Sequence, residues 1–472
     1  MSIVQKIEYK IDYDYFAGFI QNLIDMSGVK GYVSQESDAN IKIVLSEDDA
    51  PSLERFAKLT QKYLPNSILL GKVETLQSDE PVKNEKFISK KYPLAPCPIC
   101  LEEITEPSSE RYLDDTIECR HYSNKEAYLD DDQTLFSPHY NENDTILITD
   151  SRKATDLFFL TEEEIKALFS IEKPTLKVTI KDEELKSITK KSFFRVKAPY
   201  NIKSVLAALS AKESEIEYLF FNERENEPKV IVIKDRVHMI YDNRISKPLK
   251  NLSDDRAMNR FLNAMDEAGY DSAVCAYLSL GCGISFYAYK NSKGKKVVDL
   301  GDFSLKKSLQ NMESNPIRSK LLNNFKNSFA NEWSILENSD LDIFATAAAI
   351  LGLEENSYEA ISDKALEFRG NGGLKIDMNF NENGLDYESM IGSIMSFKIA
   401  GAENSHLAYS IFEAIGDMAI SVTGQLKQKL KIEETIFLGD IFENSVLFSR
   451  ILSKLQSSNP FFPTKIALDY NR

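Results

Sequence analysis

Cysteine, histidine and tryptophan are scarce in this chain: 472 residues contain five, four and one of them. Five cysteines are too few for a disulfide scaffold. The histidines, at 121, 139, 238 and 406, are too scattered to assemble a histidine-rich metal site. Cations are short as well. Lys and Arg number 57 against 73 Asp and Glu, leaving a net charge of −16. A surface poor in cations argues against nucleic acid as the main partner, because neutralising phosphates needs basic side chains. No apolar run reaches the roughly 18 residues that a membrane span requires, so no membrane insertion is expected. The opening Met1-Ser2-Ile3-Val4-Gln5-Lys6-Ile7-Glu8 has no signal-peptide apolar core, and a cytoplasmic location is expected. What remains, 43% hydrophobic and 28% charged, is an ordinary globular composition. The length suggests about two to four domains.

The most telling stretch is Glu434-Thr435-Ile436-Phe437-Leu438-Gly439-Asp440-Ile441-Phe442-Glu443-Asn444-Ser445-Val446-Leu447-Phe448. An apolar run stops at Gly439, and a helical pattern follows through Val446, Leu447, Ile451, Leu452 and Leu455. Strand, tight turn and helix aim backbone N–H groups at one point, a geometry that suits an anion. Ordinary α/β domains contain such turns without a ligand.

Upstream, residues 1–78 read as a small βαββαβ unit, with strands near 7–11, 41–45 and 68–70. Its helices carry Phe16, Phe19, Ile20, Leu23 and Ile24, then Leu53, Phe56, Ala57, Leu59 and Leu64. A polar linker follows over 79–95. Residues 92–130 hold Cys97-Pro98-Ile99-Cys100 and, 18 residues beyond, Cys119-Arg120-His121. Two thiolates in a tight knuckle with two further ligands suit tetrahedral zinc, which points to Cys97, Cys100, Cys119 and His121, with His139 in reserve. A metal-free loop or a redox Cys-x-x-Cys pair is the alternative. Residues 145–226 alternate strands with helices, one of them capped at Thr161. The last unit, 228–472, opens with a hairpin over 229–241. Residues 255–330 read as mostly helical, with Cys275 and Cys282 as inert core thiols. The almost wholly apolar stretch from Leu341 to Leu353 reads as a buried helix.

Several of these stretches together resemble the HypF-type carbamoyltransferases that mature nickel–iron hydrogenases. The Cys-x2-Cys segment with Pro107 and Arg111-Tyr112, the Ser357-Tyr358-Glu359 segment after the apolar helix, and the Gly439 turn with Phe442 and Asn444 follow the family's domain order. The resemblance implies an α/β and α+β multidomain architecture. It runs from an N-terminal acylphosphatase-like βαββαβ unit (1–78) through a zinc-knuckle segment (92–130) and a reduced nucleotide-binding-like middle domain (145–226). A C-terminal actin/hexokinase-like, carbamoyltransferase-type domain (228–472) completes it. It also implies that Gly439, Asn444 and Glu359 belong to a cofactor-binding site.

Departures from the family pattern are concentrated at the chemistry. Asp440 replaces the second glycine of a pair, Ala17 stands where a phosphate-holding arginine is implied, and Gln35 where a water-orienting asparagine is implied. Tyr122 takes the fourth cysteine position. The expected function is therefore that of a shortened relative with no catalytic residues, an accessory factor in hydrogenase maturation. It would bind a hydrogenase subunit or other maturation proteins, hold zinc, and make no use of ATP with Mg²⁺. An active ATP-dependent carbamoyl-transfer enzyme with a rearranged site, and a zinc-stabilised structural protein unrelated to hydrogenase, are the alternatives.

Overall fold

A computed structural model describes residues 1–83, 85–116, 118–123, 134–141, 144–222, 228–242, 244–300, 303–381, 384–456 and 459–470. Parts of the expected knuckle and middle segments, 117, 124–130 and 223–226, lie outside the described residues. The chain divides into two units: 1–248 with 464–472, and 249–463. Among the described residues no helix is long and apolar enough to cross a membrane.

The first unit opens with β1 (Ser2–Tyr9), α1 (Tyr15–Ser27), β2 (Gly31–Gln35), β3 (Ile41–Ser46), α2 (Ala50–Tyr63) and β4 (Leu70–Ser78), in the expected βαββαβ order. The antiparallel sheet runs β2-β3-β1-β4, the split βαβ arrangement. α1 buries Phe16, Phe19, Ile20, Leu23 and Ile24. It ends at Gly28, whose φ of 75° is the left-handed cap that favours glycine. Two strand limits differ from the sequence reading. β1 starts at Ser2 because residues 2–7 pair with 41–46 of β3. β4 begins only at Leu70, since the more apolar Ile68 and Leu69 are buried in the turn before it.

After α3 (Pro98–Thr105) come β5 (Asp144–Ile148), α4 (Ala154–Leu157), β6 (Phe158–Phe159), α5 (Glu162–Leu168), β7 (Thr175–Ile180), α6 (Glu183–Thr189), β8 (Phe193–Lys197), α7 (Ile202–Glu213), β9 (Tyr218–Asn222), β10 (Lys229–Ile233) and β11 (Arg236–Tyr241). The Thr161 expectation holds: its hydroxyl and Glu164 form a reciprocal capping box on α5. The strands make one mixed sheet, β11-β10-β7-β8-β5-β9, with β6 against β7. This corrects the expected start of the last domain. The hairpin at 229–241 belongs to the first unit, because β10 pairs in parallel with β7 and Leu468 and Asp469 N–H groups donate to carbonyls of Met239 and Ile240. His238, in β11, is buried at 5% exposure.

A buried carboxylate ties the two sheets of this unit together. Glu172, just before β7, accepts hydrogen bonds from the Tyr15 hydroxyl (2.8 Å), the Ser67 hydroxyl (2.5 Å) and the Ile68 N–H (3.0 Å). Burial raises its pKa above the ordinary carboxylate value, because leaving water costs the charged form.

In the second unit α8 (Arg256–Ala268) is followed by β12 (Ala273–Ser279), β13 (Gly283–Lys290) and β14 (Lys293–Asp299). The expectation that 255–330 is mostly helical is thus corrected. β12 is buried at every residue, and a strand covered on both faces gives a continuous apolar run that periodicity cannot separate from a helix. Then come α9 (Leu305–Ser314), α10 (Pro316–Ser328), α11 (Ala330–Asn338), α12 (Ile343–Leu351), α13 (Tyr358–Leu366), β15 (Phe380–Asn381), β16 (Gly384–Leu385), α14 (Tyr387–Ile399), α15 (Asn404–Leu430), β17 (Thr435–Leu438) and α16 (Ser445–Lys454). The sheet order is β14-β13-β12-β17, with β12 and β17 parallel. α12 is the expected buried helix. Asp342 caps its start, and Gly352, with φ 68°, ends it.

Glu172→Ala leaves two buried hydroxyls and one N–H without their acceptor and is expected to destabilise the first unit by about 2–4 kcal/mol. Glu172→Gln keeps one oxygen for the hydroxyls and is expected to cost less. For the wild type, a folded pKa above the unfolded value means that this group's contribution is full in acid and is lost as pH rises through the folded value. Urea unfolding of the three proteins between pH 5 and pH 8 checks the order and the sign.

Candidate functional site

The clearest cluster of chemistry-bearing side chains lies in the first unit, where Pro98 starts α3 and Cys97 caps it. The Cys97 sulfur accepts the Cys100 N–H at 3.4 Å. The Cys100 sulfur accepts the Arg120 N–H at 3.3 Å and lies 3.8 Å from an Arg111 guanidinium nitrogen. Arg111 is in turn held by Glu103. Cys119 and His121 come from the following loop, with His121 Nδ1 3.0 Å from the Cys97 sulfur. All four ligand atoms lie within 4.8 Å of one another. A tetrahedral zinc with Zn–S near 2.3 Å sets its sulfurs about 3.8 Å apart, so these residues fit the ion. The three cysteines are buried. Without an ion, hydrogen bonds to Cys100 and then Cys119 push the His121 imidazole up to about 9, since a thiolate stabilises the cation.

The Cys3His grouping can therefore hold zinc. Tyr122, at the implied fourth cysteine position, is 1% exposed and packs edge-on against Phe19 at 5.4 Å. That packing directs the preceding His121 toward the thiols. His139 is not in the grouping. The role of Arg111 and the Arg120 N–H in supporting Cys100 was not foreseen, although the Arg111-Tyr112 pair marked the segment.

The turn after β17 has the expected order, but its polar groups face inward. Gly439 has φ 116°. A Cβ there would lie 1.9 Å from the Leu278 carbonyl oxygen, so β12 occupies the space that any side chain would need. Asp440, 2% exposed, accepts the Leu280 N–H at 2.7 Å. Asn444 is fully buried. Its oxygen caps α16 through the Val446 and Leu447 N–H groups, and its amide donates to the Ser362 hydroxyl at 2.9 Å. The Asn444 side chain is thus bonded to protein groups at both its oxygen and its nitrogen. Glu359 sits half-buried in the first turn of α13. The neighbouring Tyr358 hydroxyl, missed from sequence, donates to the Ile441 carbonyl at 3.2 Å. Burial raises the Tyr358 pKa, and the charges of Glu443, Glu359 and Asp440 add to the shift. These carboxylates gather near the turn without forming a metal-capable group; among the described residues that description fits Cys97, Cys100, Cys119 and His121. Cys275, in β12, is fully buried, and burial pushes its thiol pKa up.

Around the loop between β1 and α1 the side chains also turn inward. Ala17 is fully buried. The Gln35 amide donates to the carbonyls of Ile11, Tyr13 and Ala39 at 3.3–3.5 Å, and the Tyr13 hydroxyl donates to the Ser246 carbonyl at 3.0 Å.

Residues 310–469 match the family model for the carbamoyltransferase, Kae1-like domain, second subdomain. The fold of the whole chain matches T. kodakarensis HypF with a TM-score of 0.64 at 12% identity, covering 100% of this chain and 97% of that one. It also matches full-length HypF in its phosphate- and nucleotide-bound form, with a TM-score of 0.58 at 12% identity over 99% and 96%. The chain is HypF-like in fold. Its mixed α/β, multidomain architecture is the one the sequence resemblance implied, and the segment matching the Kae1-like model lies in the second unit except for residues 464–469. Protein HydE of Wolinella succinogenes is 22% identical to this HypF-like chain over 362 residues, covering 68% of this chain and 65% of HydE. The match spans less than two thirds of HydE.

Gly439→Ala is expected to destabilise the second unit by roughly 2–4 kcal/mol, through the clash with Leu278 and the positive φ. Gly424→Ala, in α15 with nothing within 4 Å of an added Cβ, is expected to be neutral or stabilising. Thermal unfolding monitored by circular dichroism distinguishes them.

Proposed function

We propose that this HypF-like chain is an accessory factor in nickel–iron hydrogenase maturation or assembly that works through protein binding and has lost carbamoyl transfer. The observation that carries the reading is the turn after β17. Gly439 is filled by the Leu278 carbonyl, Asp440 is bonded to Leu280 N–H, and Asn444 is turned inward as a helix cap. A nucleotide phosphate needs free N–H groups and close backbone approach at such a turn. Here a carboxylate stands beside the turn and the asparagine has no side-chain bond left to offer. The β1–α1 loop supports the same reading, since Ala17 and Gln35 supply no guanidinium for an acyl phosphate. The hydrogenase context comes from the HypF likeness. The partner would be a hydrogenase subunit or another maturation protein, and a chain carrying a net charge of −16 favours a basic surface on it.

Cys97, Cys100, Cys119 and His121 would hold one structural zinc. Four protein ligands close the coordination sphere, so the ion would fix α3 to the 119–121 loop and leave no position for substrate. About one zinc per chain is expected by elemental analysis, with Cys97→Ser abolishing it and lowering the unfolding midpoint of the first unit. Full zinc content in the Cys97→Ser protein would contradict this ligand set.

A second reading, an ATP-dependent carbamoyl-transfer enzyme with a rearranged site, draws support from Glu359, Asp440 and Glu443 around the Tyr358 hydroxyl. Such carboxylates form no metal-capable group as they stand and would have to draw together to hold Mg²⁺ against a phosphate. Deleting the gene and assaying hydrogenase separates the readings. The accessory role predicts lost hydrogenase activity that a Glu359→Ala copy restores. Failure of a stably folded Glu359→Ala copy to restore activity favours the enzyme, and unchanged hydrogenase in the deletion strain rules out both.

A further inference from the structure

The first unit's four-stranded sheet treats its two edges differently. At one edge β2 buries Tyr32 and Val33. At the other, β4 is nine residues long, contains no proline, and is exposed at every position from Gly71 to Gln77. Val73 and Leu76 are 57% and 51% exposed. Monomeric proteins protect such an edge with short strands, proline, bulges or inward charges, because its unpaired N–H and C=O groups recruit another strand. β4 has one such protection, a bulge near its start opposite Glu8, whose carboxylate accepts the Lys72 N–H at 3.3 Å; from Val73 to Ser78 its pairing with β1 is regular.

We propose that β4 is the contact by which two copies of this chain associate, joining their four-stranded sheets edge to edge about a twofold axis. The occupant is argued from the strand's own sequence, Leu70-Gly71-Lys72-Val73-Glu74-Thr75-Leu76-Gln77-Ser78. Antiparallel self-pairing centred on Val73 sets Lys72 opposite the partner's Glu74, and Glu74 opposite the partner's Lys72. In the same register Val73 meets its own copy. No other self-pairing register places the two charges directly opposite each other. Alternation puts Lys72, Glu74 and Leu76 on one face, while Leu70, beyond the bulge opposite Glu8, lies with Val73 on the other, so the register forms a ladder of two ion pairs about Val73. Among the described residues neither Lys72 nor Glu74 makes an ion pair within its own chain. A self-complementary patch of this kind is what a closed, isologous dimer requires. A single shared strand edge is a small contact, so the dimer is expected in the micromolar range.

Sedimentation equilibrium of the full chain over a range of micromolar concentrations tests this, with far-UV circular dichroism and thermal unfolding as folding controls. The wild type is expected to show a reversible monomer–dimer equilibrium. Lys72→Glu alone and Glu74→Lys alone each set like charges opposite and are expected to weaken dimerisation by about tenfold. The double variant Lys72→Glu/Glu74→Lys restores opposite pairs and is expected to return close to wild type. Val73→Pro is expected to abolish the dimer. A chain that stays monomeric throughout, a dimer indifferent to the single charge reversals and to Val73→Pro, or a folded double variant that fails to recover would each overturn the proposal.

Discussion

The second unit is organised by one close approach between backbones. The Leu278 carbonyl fills the place of a Cβ at Gly439, so β12 and β17 run side by side into the turn. From that contact the neighbouring bonds follow: Asp440 to Leu280, Tyr358 to Ile441, and Asn444 to Ser362 and to the first N–H groups of α16. Asp440, Tyr358 and Asn444 thus each satisfy a partner within the protein. Leaving any of those partners unmade costs more than the bond itself returns, which is why the turn persists as structure.

The first unit repeats this logic with different residues. Where the acylphosphatase-like loop suggests an anion, Gln35 donates to three carbonyls and Tyr13 reaches Ser246. Glu172 collects Tyr15, Ser67 and Ile68 into a buried junction between two sheets. The Cys3His cluster extends the pattern, with backbone N–H groups and Arg111 directed at sulfur. In each place the polar groups hold the scaffold together.

Local signals were the legible part of the sequence. The Thr161 capping box, the Asp342 and Gly352 limits of the buried helix, the βαββαβ order and the Cys97, Cys100, Cys119, His121 spacing can all be read from residues near one another in the chain. Signals that depended on distant partners were not. β12 was mistaken for helix because burial on both faces erases its alternation. The 229–241 hairpin was assigned to the wrong unit because its partners, β7 and the returning 464–472 segment, are remote in sequence. Asn444 enters the sequence reading through the family resemblance alone, and nothing near it in the chain announces its bond to Ser362, 82 residues away. Tyr358, Arg111 and Glu172 acquire their roles only through contacts that the fold creates.

Calorimetric titration of Mg²⁺–ATP into the purified chain tests the central claim most directly, with zinc content measured on the same sample. An inward-facing turn predicts no binding heat even at millimolar nucleotide. A dissociation constant in the micromolar range, roughly −8 kcal/mol, would contradict the account and return Glu359, Asp440 and Glu443 to a catalytic role.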